Sequence, residues 1–84
     1  MIIKLKPDKA TGYYNRGLVF HKLKNYKRAI IDYSKAIELK PKFTNAYLFR
    51  GLAYKECGYN QKASSNLVMA RRLKEKKSDK SILS

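Results

Sequence analysis

Shifted by 34 residues, this 84-residue sequence lies over itself. Pro7 falls on Pro41, Tyr13 on Tyr47, Arg16-Gly17-Leu18 on Arg50-Gly51-Leu52, Ala29 on Ala63, Ala36 on Ala70 and Leu39 on Leu73. Phe20 meets Tyr54 and Tyr33 meets Leu67, so large apolar positions keep their places too. A fixed period of this size is the mark of stacked supersecondary units, in which each unit buries its apolar face only against its neighbours.

The apolar spacing inside one period is helical. Tyr13, Gly17 and Phe20 stand at i, i+4 and i+7, one stripe of a helix, and Ala29, Tyr33 and Ala36 repeat that spacing on the next segment. Gly17 and Ala29 lack bulk, so two antiparallel helices can approach closely where they meet while the aromatics fill the gaps beside them. A glycine inside a helix costs ~1 kcal/mol relative to alanine, and its recurrence as Gly51 argues for a packing reason. Lys24-Asn25-Tyr26 and Gly58-Tyr59-Asn60 interrupt the pattern as turns, and Pro41 closes the helix before it. The spacing therefore predicts helices over about Lys9–Leu23, Tyr26–Leu39, Phe43–Cys57 and Asn60 to about Lys77: an all-α solenoid of antiparallel hairpins. Its predicted core is Tyr13, Gly17, Phe20, Ala29, Tyr33 and Ala36, with Tyr47, Gly51, Tyr54, Ala63, Leu67 and Ala70 in the second copy.

In this order, Tyr13, Arg16-Gly17, Phe20, Ala29, Tyr33, Ala36 and Pro41 resemble the tetratricopeptide repeat, and the second copy resembles it from Tyr47 to Ala70. Arg16 and Arg50 depart from the usual Leu, Leu67 from the usual aromatic, and no proline follows Leu73. The expected organisation is the end of a preceding repeat helix and its turn at residues 1–7, one repeat at 8–41, a second with an extended last helix at 42–77, and a disordered tail at 78–84. Ile30, Ile31 and Ile37 become Ser64, Ser65 and Arg71, which predicts a polar terminal cap.

The resemblance implies that the first helix of each repeat lines a concave groove for an extended peptide or partner helix. Helical phase then selects Tyr14, Asn15, Leu18, His21 and Lys22 from the first copy and Asn45, Leu48, Phe49, Leu52 and Lys55 from the second. Leu48, Phe49 and Leu52 form the expected apolar centre, with Asn15, Asn45 and Lys55 on a polar rim. Asn15 also resembles the asparagine of a carboxylate clamp for chaperone tails, but Asn45 and Phe49 stand where basic residues would be needed.

Nothing in the sequence forms a catalytic constellation. His21 is the only histidine, Cys57 reads as a small buried apolar residue, and the six carboxylates show no pairing by spacing. No cofactor or metal is implied, and the expectation is a non-enzymatic protein-binding scaffold. The net charge of +14, from 20 Lys and Arg against six Asp and Glu, favours anionic partners. That admits an acidic peptide, or as a second reading a polyanion- or RNA-binding accessory domain; a structural fragment of a longer array is a third. No apolar run approaches the ~20 residues of a membrane span. The lone cysteine and the lack of a signal-like N-terminus point to an intracellular, cytoplasmic setting. Two repeats bury little core, so self-association through the N-terminal end or the Leu48/Phe49/Leu52 surface is expected.

Overall fold

The computed structural model describes the backbone of residues 8–83 and the side chains of residues 8–75. The expected helix end and turn at residues 1–7 lie outside them, as does Ser84. Four helices follow in order: α1 (Lys9–Lys22), α2 (Tyr26–Leu39), α3 (Thr44–Glu56) and α4 (Asn60–Leu83). They form two antiparallel hairpins, α1 with α2 and α3 with α4, joined through the packing of α2 on α3.

Local chemistry sets the ends. Asp8 caps α1 by accepting the Thr11 amide, a bond that holds its carboxyl below the ordinary carboxylate range. Asn25 caps α2 by accepting the Arg28 amide. The two hairpin turns fall 34 residues apart in sequence, and both need a left-handed residue: Lys24 at φ 61° and Gly58 at φ 86°. Only the second turn has the residue that adopts this region without steric cost. Helix α3 starts one residue later than expected because Phe43 serves as its N-cap. Helix α4 runs to Leu83, past the end expected near Lys77 and through the segment 78–83 expected to be disordered. No glycine or proline follows Gly58 to stop it.

Within each hairpin the helices close on a glycine. A Cβ added to Gly17 would lie 2.6 Å from Cε1 and 2.8 Å from Cδ1 of the Tyr33 ring, and one added to Gly51 would lie 3.0 Å from Leu67. Tyr33 is wholly buried, with Ala29, Ala36, Ala46 and Ala53 around the same core. Ala63 and Ala70 are also buried, whereas Tyr13, Phe20, Tyr47, Tyr54 and Leu67 are half-buried. Phe20 still packs against the Ala29–Tyr33–Ala53 cluster. Ala46 and Ala53 correspond by the shift to Gly12 and Val19, which are exposed, so this burial belongs to one repeat's first helix and not the other's. Of the three isoleucines that become polar in the second copy, Ile31 is 66% exposed, while Ile30 and Ile37 are half-buried.

The arginines that replace the usual leucine tie the paired helices together. Arg16 donates from Nε and Nη2 to the two carboxylate oxygens of Asp32 at 2.9 and 2.8 Å. Asp32 is buried, and this fork satisfies it while the hydrogen-bonded carboxylate raises the arginine pKa. In the second repeat Arg50 donates to Asn66 Oδ1 at 2.6 Å and across the repeat boundary to Ser34 Oγ at 3.1 Å. Asn66 in turn donates to the Lys62 carbonyl at 2.7 Å.

The three helical glycines make a graded test. Replacing glycine by alanine in a helix gains ~1 kcal/mol of propensity. At Gly12 nothing lies within 4 Å of the new methyl group, so Gly12→Ala should raise the thermal midpoint by several degrees. At Gly17 overpacking of ~1–3 kcal/mol against a caged ring outweighs the gain, and Gly17→Ala should lower it. Gly51→Ala, against a flexible leucine, should fall between. Thermal denaturation followed by circular dichroism gives the order directly.

Candidate binding groove

The two turns of α1 that carry Asn15, Leu18, Val19 and Lys22 present one face at i, i+3, i+4 and i+7. With His21 and Phe49 it lines an open cavity of about 440 Å³ between α1 and α3. The lining is predominantly apolar, with Asn15 and Lys22 at its polar edge. Five of the residues selected by helical phase therefore share one cavity: Asn15, Leu18, His21, Lys22 and Phe49.

The others fall elsewhere. Tyr14 is half-buried in the aromatic stack, its ring centre 4.8 Å from Phe43, 6.1 Å from Phe49 and 6.0 Å from Tyr33. Burial raises its phenol pKa. Leu52 is half-buried, and Leu48, Asn45 and Lys55 are exposed outside this cavity. Phe49 and Leu18 pack against the Ala29–Tyr33–Ala53 cluster as well as facing the cavity, and of the expected Leu48/Phe49/Leu52 centre Phe49 alone lines it. Sequence phase overlooked Val19, which is 56% exposed on the cavity wall. Its position one turn beyond Asn15 was the available signal.

His21 forms the floor where the three helices meet. Its Nδ1 lies 3.1 Å from the Tyr33 hydroxyl, and its ring meets Tyr26 and Phe49 edge-on at 5.2 and 6.0 Å. The pair is satisfied whether the hydroxyl donates to Nδ1 or a protonated Nδ1 donates to the hydroxyl oxygen. Desolvation lowers the histidine pKa, against a weaker opposing pull from Glu56, and desolvation also holds Tyr33 protonated. The neutral imidazole is thus part of an aromatic floor. Among the described residues no group of three His, Cys, Asp or Glu side chains is placed to hold a metal. No described helix is long and apolar enough to cross a membrane. Cys57 is half-buried with a free thiol.

Comparison with known proteins adds to this geometry. Residues 10–43 match the family model described as tetratricopeptide repeat. A UDP-N-acetylglucosamine–peptide N-acetylglucosaminyltransferase of Giardia intestinalis is 40% identical over 53 residues, which are 63% of this chain and 4% of that protein. Two crystal structures of MamA superimpose with TM-scores of 0.79 and 0.74, each at 37% identity over 83% of this chain. The chain spans 41% and 38% of those two structures, less than half of each.

Because the folded His21 pKa is depressed below its ordinary 6.5, the unfolded chain takes up this proton more readily. The contribution is therefore complete above that value and is lost as the pH falls through it toward the folded pKa. The thermal midpoint should drop over this window, and His21→Gln should flatten that part of the profile. Asp8 acts in a separate window, below its ordinary 3.8. An unchanged profile in the variant would remove His21 from the acid sensitivity.

Proposed function

Because the chain belongs to the tetratricopeptide repeat family, whose repeats generally mediate protein–protein contacts, we propose that its α1–α3 cavity captures a partner's extended peptide or helix. The observation that carries this is the concave apolar wall of Leu18, Val19 and Phe49 beside the polar Asn15 and Lys22. A cavity of this kind takes an apolar anchor and uses few polar groups to orient the backbone around it. The exposed Lys22 and Lys55, with a net charge of +14, favour anchors flanked by acidic residues. The fold is typically a non-enzymatic scaffold, and the cavity's only titratable ring is engaged with Tyr33 in the floor.

Selection of displayed peptides against the intact chain tests this reading. Recovered peptides should share an apolar residue with acidic neighbours. Val19→Ser, at an exposed site, should weaken them about tenfold, the equivalent of ~1.4 kcal/mol, without changing helicity. Lys22→Gln should mainly slow association. Peptides that bind both variants as well as the parent chain would place capture elsewhere.

A further inference from the structure

The internal repeat supplies its own control for a second site. One groove of about 410 Å³ is lined by Arg16, Phe20, Arg28, Ile31 and Asp32. Moved by 34 residues these become Arg50, Tyr54, Lys62, Ser65 and Asn66, and all five line the equivalent groove, an open cleft of about 760 Å³. Both grooves are distinct from the cavity between α1 and α3.

The chemistry of the pair differs in one direction. In the first groove the Asp32 carboxylate neutralises Arg16, and exposed Ile31 presents an apolar wall. In the second, every partner of the half-buried Arg50 is neutral: the Asn66 carbonyl oxygen at Nε and the Ser34 hydroxyl at Nη1. Its charge is kept. The guanidinium lies over Tyr47 and Tyr54 at 5.5 and 5.8 Å, and the Lys62 ammonium lies over Tyr54 and Tyr59 at 5.6 Å each. Among the described residues neither cation forms an ion pair. Ser64 and Ser65 add hydroxyls where the first repeat has isoleucines, and Tyr59, outside the groove's lining but with its ring centre 6.2 Å from that of Tyr54, stands 53% exposed. The result is two cations and three tyrosines with no carboxylate among them.

We propose that this second groove binds single-stranded nucleic acid. Arg50 and Lys62 engage the phosphodiester backbone, and a base lies against the Tyr59 ring. A guanidinium already held within reach of two rings and by the Asn66 oxygen is pre-ordered for a phosphate, whose oxygens match its fork. Exposed aromatic rings accept bases with little regard to sequence, and an open cleft lets the strand pass through. The net charge of +14 favours a polyanion beyond this one contact. An acidic protein segment would use the two cations and leave Tyr59 idle.

The test is fluorescence anisotropy of a labelled oligouridylate of about 15 nucleotides with the intact chain, over a salt series. The parent chain should bind, with log affinity falling linearly in log salt. Asn66→Asp, which recreates the first repeat's ion pair, should weaken binding about tenfold and leave the thermal midpoint unchanged or raised. Tyr59→Ala should cost about fivefold or more, the range of one base–aromatic contact. Arg28→Gln, an equal loss of charge in the first groove, should have a much smaller effect, and Val19→Ser in the peptide cavity none. If Asn66→Asp fails to fold, Lys62→Gln against Arg28→Gln carries the same comparison. Equal losses at the two grooves, or indifference to both Asn66→Asp and Tyr59→Ala, would overturn the site. Polyglutamate of matched length displacing the oligonucleotide on equal terms would assign the groove to acidic protein and overturn the nucleic-acid reading.

Discussion

The distance between the α1 backbone at Gly17 and the Tyr33 ring governs the rest of the molecule. No side chain fits there, since even a Cβ would stand 2.6 Å from the ring. That approach lets α2 lie against α1 with Tyr33 fully enclosed, and it leaves the ring free to meet Tyr14, His21 and Phe49 on its other sides. Because Phe49 belongs to α3, one ring joins the first hairpin to the second. The same arrangement at Gly51 uses Leu67, a smaller and more flexible residue that has no described third hairpin to reach.

Polar ties complete what the glycines begin. Asp32 and Asn66 occupy equivalent positions, both buried, and both are satisfied by an arginine from the paired helix. Their difference in charge costs the fold little in hydrogen bonds, because an asparagine carbonyl accepts as a carboxylate oxygen does. It changes the surface greatly. One arginine has its charge balanced in an ion pair, and the other lies unbalanced over two tyrosines. Two surfaces of different chemistry therefore share one small scaffold: an apolar cavity where α1 meets α3, and a polar cationic cleft where α3 meets α4.

The hairpins, their turns and the alanine core were legible because the repeat states each of them twice. The 34-residue shift locates Gly17, Ala29, Tyr33 and Ala36 with no knowledge of contacts. What it hides is everything that differs between copies. Ala46 and Ala53 are buried, but their counterparts Gly12 and Val19 are exposed, so a search for matched residues passes over them. Of the residues that helical phase selects, Asn15, Leu18, His21, Lys22 and Phe49 line one cavity. The expected apolar centre is divided in the structure, with Phe49 on the cavity wall, Leu48 exposed outside it and Leu52 half-buried, because phase alone does not say which neighbouring helix each side chain meets. The arginines looked like departures from a leucine pattern. Only their common spacing of 16 residues, to Asp32 and to Asn66, betrays the ties in the sequence.

A double-mutant cycle between positions 17 and 33 tests most directly whether this ring sets the helix spacing. In Tyr33→Leu, which installs the residue found at the equivalent Leu67, a methyl group at position 17 has a flexible neighbour that can yield. Gly17→Ala should then cost less than in the parent chain by about 1 kcal/mol or more, a coupling typical of residues in contact. If the two costs simply add, to within a few tenths of a kcal/mol, the glycine and the tyrosine act independently and the account of how these hairpins close is wrong.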